Sequence, residues 1–227
     1  MSVLNTSALA EQVYAILKRD IIRGRFQPGE KLDVLQLVNE FNVSRSPVKE
    51  AIQQLVHDGL LEIAPRVGTY VTQITDGDFL ELIDARLLIE LWAARKCVNS
   101  VGPSEIVHWR NIVSKMDLLL QVDPFPDELY MELDSEFHQS LVHWAGNSRV
   151  ERMYNSLNVH VAFVRIKFKH SIKRTKERFG DHQRLCTALE KRDLSELLGI
   201  LQLHIESLKD EIQFTHVSPS LAPSGFP

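Results

Sequence analysis

NVSRSPVKEAIQQLVHDGLLE, residues 42–62, carries a Ser-Arg-Ser-Pro entry, an apolar stripe and an Asp-Gly stop in one stretch. Val48, Ala51, Ile52 and Leu55 recur at three- and four-residue intervals, which places them on one face of a helix starting near Ser44–Ser46 and ending about His57. Pro47 is tolerated there because the first N–H groups of a helix have no intrahelical partner. Ser44, Arg45, Ser46 and Lys49 are then left on the exposed, N-terminal end, where a helix that enters a DNA groove needs its polar side chains. Arg45 can fork onto guanine, the serines suit phosphates, and Lys49 is a point charge suited to a phosphate. The plainer alternative is the solvated face of an ordinary amphipathic helix.

Working outward, Ala8–Arg23 reads as a helix with Leu9, Val13, Ile16, Leu17 and Ile21 on one face, stopped by Gly24 and a Pro28-Gly29 turn. Asp33 can cap a short helix that turns Leu37, Val38 and Phe41 inward. Downstream, LLEIA (60–64) and TYVTQI (69–74) flank the turn residues PRVG (65–68) and predict a β-hairpin, with Arg66 and Gly68 placed for a minor-groove or phosphate contact. Three helices and a hairpin predict a winged helix-turn-helix over residues 1–75.

Composition sets bounds on the rest. The chain has 227 residues and a formal net charge of −4. Residues 1–75 hold eight Lys/Arg and eight Asp/Glu, so the acidic surplus belongs to the remainder. DNA binding must therefore rest on locally placed cations rather than on a bulk positive field. Two cysteines, Cys97 and Cys186, exclude a disulfide framework or a CxxC metal site. The absence of a long apolar run and of a signal-like start makes the cytoplasm the expected location.

From Asp76 onward six segments show helical periodicity, with breaks at Gly102-Pro103, Asp123–Pro126, Gly146-Asn147 and around 170–175. They predict an all-α bundle of about six helices over 76–215, and a Pro/Ser-rich tail, 216–227, expected to be disordered. The fold class is thus mainly α. Trp92, Trp109 and Trp144, flanked by aliphatics, read as core or dimer contacts, and the basic run RIKFKHSIKRTKER (165–178) as a solvated helix end and loop. Within the bundle, Asp134 and His138 are spaced i, i+4 and share a helix face, while His182 and His204 sit on the apolar stripes of later helices. Interior, unpaired imidazoles are unusual. They point to a metal site, or to a chance pairing in a chain with nine histidines.

Two resemblances sharpen these readings. FQPGEKLDVLQLVNEFNVSRSPVKEAIQQLVHDGLLEIAPRVGTYV resembles the DNA-binding domain of the GntR family of bacterial transcription regulators, through its PG-x-x-L entry, VSRSPVKEA helix, GLL strand and R-x-G-x-x-V wing. It departs at Val34 and Leu35, where the family usually carries Glu and a DNA-contacting Arg, and at Lys49, where Arg is usual. The segment DFLELIDARLLIELWAARKCV, with DSEFH (134–138), DHQRLCTALEKRD (181–193) and HI (204–205), is similar to the FCD ligand-binding domain. That resemblance implies a divalent cation (zinc, nickel or manganese) on Asp134, His138, His182 and His204. Asp181 stands where Glu is usual before the histidine, and is not a ligand position. The first resemblance implies a homodimer on a pseudo-palindromic double-stranded operator, and the second implies Arg86 near the pocket.

Three imidazoles and one carboxylate leave room on an octahedral metal for a small organic acid, and Arg86 is the cation best suited to grip its other end. The alternative pairs Arg86 with Glu90 at i+4 and leaves both structural. The reading as a whole is a ligand-responsive repressor released by a small carboxylic acid. Its alternatives are a metal-dependent hydrolase or lyase using the Asp/His site, and a metal-responsive regulator with no organic effector.

Overall fold

The computed structural model describes residues 6–73, 75–167 and 172–210. The tail expected over 216–227 lies outside the described residues. The chain divides into two compact units, Met1–Thr75 with Ser156–Lys167, and Asp76–Asn155 with Phe168–Pro227.

The first unit contains α1 (Thr6–Ile22), β1 (Lys31–Leu32), α2 (Val34–Phe41), α3 (Arg45–His57), β2 (Leu61–Ala64) and β3 (Gly68–Val71). Asp33 caps α2 as its spacing predicts: one carboxylate oxygen accepts from the backbone N–H of Leu35 at 2.9 Å and of Gln36 at 3.1 Å. Asn42 closes the same helix in the left-handed region, φ 51°, which an Asn tolerates better than a branched residue. The predicted stripe of α3 is buried, with Val48, Ala51 and Leu55 fully so, against Val13, Leu17 and Ile21 in the same core as α1 packs on α3. Leu32, Leu37, Leu60, Leu61 and Val71 complete that core.

The hairpin forms as predicted, β2 antiparallel to β3 with Leu61 opposite Val71 and Ala64 opposite Gly68. A third strand was not expected. β1 pairs antiparallel with β3 on its other side, Lys31 opposite Tyr70, giving the sheet order β1-β3-β2.

The second unit is all-α among its described residues: α4 (Asp76–Cys97), α5 (Pro103–Leu119), α6 (Asp127–Trp144), the start of α7 (Ser148–Lys167), α8 (Ile172–Glu190) and α9 (Leu194–Glu206), ending in a 3-10 turn at Ser207–Lys209. The first three breaks fall where Gly, Pro and Asn predict them. The fourth expected break, around 170–175, falls partly on 168–171, outside the described residues; α8 is helical from Ile172, about a turn before the Thr175 start of the expected segment, because Lys173, Arg174, Thr175 and Lys176 contain no helix breaker. α4 packs on α6 and α9, α5 on α6 and α8, and α8 on α9, so α4, α6, α8 and α9 surround a common interior. Ile83, Ala93, Trp109, Ile112, Phe137, Leu141, Leu185, Leu197 and Leu201 fill it. No helix among the described residues is long and apolar enough to cross a membrane.

Candidate functional site

The reading face of the winged unit starts at the N-terminus of α3. Ser44 occupies the N-cap in extended backbone but makes no side-chain cap bond, so its hydroxyl is left for another partner. Ser44, Arg45, Ser46 and Lys49 are all exposed, and Ser46 Oγ lies 3.2 Å from Glu50 Oε1. At the wing, Arg66 is exposed and holds φ 64°. Such left-handed backbone is one that Gly or Asn would adopt at lower cost. Gly68 opens β3 beneath the side chain of Lys31: a Cβ there would meet Lys31 Cε at 2.5 Å. Leu35, where a DNA-contacting Arg is usual, is exposed at 54%.

The interior of the helical unit gathers four polar side chains that apolar burial alone does not explain. Asp134 and His138 come from successive turns of α6, His182 from α8 and His204 from α9. All four are buried, and one ligand atom from each lies within 4.8 Å of the others. His182 Nε2 is 3.1 Å and His138 Nε2 3.9 Å from the same oxygen of Asp134. The three rings touch, with centroids 4.6 Å apart for His182 and His204 and 5.2 Å for His138 and His204. Phe137 meets His182 in a T-shaped contact and stacks on Trp109 at 4.0 Å, which gives the cluster an apolar wall.

A carboxylate network outside these four orients the cluster. Glu90, fully buried on α4, accepts from His138 Nδ1 at 2.7 Å, from Tyr154 Oη at 2.6 Å and from Arg86 Nε at 2.5 Å. Burial alone would raise its carboxyl, but the Arg86 guanidinium and then His138 and Tyr154 hold it down at about 2. With Nδ1–H donated to Glu90, His138 turns the lone pair of Nε2 inward, toward the Asp134 carboxylate. Two electron-rich atoms 3.9 Å apart in a dry interior repel unless a cation sits between them. His138 Nε2, His182 Nδ1 and His204 Nδ1 are buried with no hydrogen-bond partner among the described residues. Burial also drives His138 and His204 toward the neutral, metal-ready form, against the opposing pull of Glu90 on one and of Asp181 on the other. The residues present therefore fit a divalent metal, with Glu90 behind His138 as the outer carboxylate that metal-bound histidines usually have.

The structure puts Arg86, at 2% exposure, against Glu90, which is the pairing read as an alternative from their i, i+4 spacing. Glu90 and Tyr154 were missed as site residues. Glu90 had a signal in that spacing, whereas Tyr154 had none. Asp181, not a ligand position, places Oδ2 3.5 Å from His204 Nδ1.

Comparison with known proteins agrees with both halves of this geometry. Residues 9–71 match the family described as "Bacterial regulatory proteins, gntR family", and residues 81–207 match the FCD domain. The HTH-type transcriptional repressor RspR of Escherichia coli K12 is 27% identical over 213 residues, spanning 92% of this chain and 90% of that protein. The gluconate operon transcriptional repressor of Bacillus subtilis is 22% identical over 227 residues, spanning 98% and 92%. Among solved structures, E. coli McbR/YncC superposes with a TM-score of 0.77 at 20% identity, over 91% of this chain and 98% of that one. A GntR-type regulator from Rhodococcus sp. RHA1 gives 0.76 at 20% identity, over 92% and 99%. At those identities the structures speak for the fold alone. A winged helix-turn-helix with its polar helix end exposed, followed in sequence by a helical FCD domain, makes this chain a member of the gntR family of bacterial regulatory proteins, and hence a DNA-binding transcription regulator rather than an enzyme.

Proposed function

We propose that this regulator is a cytoplasmic, homodimeric repressor. It leaves its pseudo-palindromic operator when a small carboxylic acid binds at a divalent metal centre held by Asp134, His138, His182 and His204. The observation that carries this reading is the inward-facing lone pair of His138 opposite Asp134, with Glu90 holding the ring in that tautomer. The metal, when bound, supplies a cationic anchor for the acid. Zinc and nickel suit the three imidazoles, manganese suits the Asp134 carboxylate and added oxygen ligands, and open coordination positions suit a carboxylate. The relatives of E. coli and B. subtilis that resemble this chain are named repressors, which supports repression as the effect of operator binding.

The chain's own residues supply the rest. Glu90 keeps His138 oriented. Arg86 grips the far end of the acid with its terminal guanidinium nitrogens, since its Nε is committed to Glu90. On the DNA side, Arg45 reads base edges while Ser44, Ser46, Lys49 and the wing residues Arg66 and Gly68 hold the backbone. The acid favours one packing of the bundle over another, and it changes operator affinity only by its differential affinity for the two, about 1–3 kcal/mol in typical regulators.

The test is metal content and acid response on the same preparations. Wild type should carry about one divalent ion per chain by elemental analysis, and His182→Ala and His204→Ala should carry none. A thermal-shift screen of small carboxylates should find one that stabilises metal-loaded wild type and not Arg86→Lys, which keeps a charge beside Glu90 but loses the fork. Unchanged stoichiometry in the His variants overturns the metal assignment. Metal binding with no response to any acid favours a regulator for which the metal itself is the signal.

A further inference from the structure

The eight Lys and Arg of residues 1–75 sort into two groups by what their charged ends touch. Lys18 lies 3.6 Å from Asp58, Arg19 is 3.4 Å from Asp20, and Arg25 pairs with Asp20 and Glu40 at 2.7 Å each. Arg23 is also engaged. The other four, Lys31, Arg45, Lys49 and Arg66, are exposed and have no ion pair or hydrogen bond among the described residues. Three of these four are the cations already assigned to the DNA face. The fourth lies in neither the recognition helix nor the hairpin turn.

Lys31 sits on β1, the short strand that flanks the wing. It is opposite Tyr70 on β3 and hence diagonal to Gly68, the first residue after the wing turn. Its stem crosses the bare Cα of Gly68. A Cβ at that position would meet Lys31 Cε at 2.5 Å, Cδ at 3.4 Å and Nζ at 3.3 Å. The ammonium is therefore held over Gly68, which lies two residues along the chain from Arg66. The acid nearest in the sheet is Glu62, also opposite Tyr70 but on β2. Two strand spacings, about 9–10 Å, separate it from Lys31 at the backbone, and no ion pair joins them among the described residues. Glu30 is turned to the backbone N–H of Gln27, at 2.7 Å.

We propose that Lys31 is the fourth cation of the DNA face, a phosphate-contacting residue of the wing, and that Gly68 is bare so that the Lys31 stem can lie across it. An ammonium is a compact point charge with no fork for base edges, so its contact carries affinity without sequence preference. The proposal rests on the assignment of Arg45 and Arg66 to the same face.

The experiment uses the full-length protein and two duplexes: one selected by the wild type from a random-sequence pool, and one of mixed, unselected sequence. Affinities are measured across a salt series for wild type, Lys31→Ala, Lys31→Arg and Arg45→Ala. Lys31→Ala should weaken binding to both duplexes and reduce the slope of log K against log salt by about 0.9 per bound chain. Lys31→Arg should restore both. An unchanged slope overturns the proposal, as does a loss confined to the selected duplex, which would make Lys31 a base reader. Arg45→Ala should instead erase the preference between the duplexes. If that preference survives, the recognition-helix assignment fails whatever Lys31 does.

Discussion

Glu90 shows how much one side chain can organise. Both its oxygens are used, one by Arg86 and Tyr154 and the other by His138, so a single carboxylate ties α4 to the first turns of α7 and to α6. Glu90→Gln removes the counter-charge of a buried guanidinium and presents an amide donor to a cluster of donors. Stranding a buried charge in this way costs about 3–5 kcal/mol, and the loss should be visible in urea unfolding followed by tryptophan fluorescence. Trp92, Trp109 and Trp144 all lie in the helical unit, so that signal reports this unit alone. The same variant should bind zinc about 10–100-fold more weakly in competition with a chromogenic chelator, as other losses of an outer ligand do. Tyr154→Phe removes one hydrogen bond and no charge, and should leave zinc affinity near wild type. If Glu90→Gln binds zinc normally, Glu90 is the counter-ion of Arg86 and nothing more.

At the scale of elements, what the sequence made legible was whatever is written in local spacing. Asp33, Gly24, Gly59 and Gly146 stand at turns or helix ends, the glycines at φ between 71° and 73°, and each is an unambiguous local signal. Asp134 and His138 were legible because four residues of α6 return to the same face, and His182 and His204 because each interrupts an apolar stripe. β1 was not legible: two residues carry no period, and the strand exists only because β3 has a free edge to pair with. The contact of Asp181 with His204, and Tyr154 as a site residue, escaped for a similar reason, since packing between helices, and no spacing within one, brings them to His204 and Glu90. The cap of α2 can be tested as an element. Asp33→Ala leaves the N–H groups of Leu35 and Gln36 without their acceptor and should cost about 1 kcal/mol. Tryptophan fluorescence is blind to it, because the winged unit has no tryptophan in residues 1–75. The loss should appear as roughly fivefold lower hydrogen-exchange protection across the amides of α2, while α4 to α9 keep theirs. Unchanged protection would mean that the burial of Leu37 alone holds the helix.

Across the whole molecule the histidines are unevenly placed, and that gives the two units different responses to acid. Residues 1–75 contain one histidine, His57, exposed in the last turn of α3. The helical unit buries three in contact with each other, and burial holds His138 and His204 below their ordinary pKa. A group whose charged form is disfavoured in the fold lets the unfolded chain take up the proton first. The metal-free protein should therefore keep its full stability above about pH 6.5 and lose about 1.4 kcal/mol per pH unit for each of His138 and His204 as the pH falls below it. Glu90 has the opposite sign but a separate window: held at about 2, it contributes stability above the ordinary carboxylate range and loses it only as the pH falls through that range. Between about pH 6.5 and 5 the imidazoles therefore set the slope. Urea midpoints read by tryptophan fluorescence in a chelator at about pH 7 and about pH 5.5 measure it directly. Zinc should raise the midpoint at the higher pH and lose most of that gain at the lower, because protons and metal compete for the same nitrogens. Hydrogen exchange in the winged unit should hardly change over the same interval. A flat profile for the metal-free helical unit would mean that Glu90, Asp134 and Asp181 outweigh burial and let the rings protonate in place, which would leave the cluster as a set of buried ion pairs.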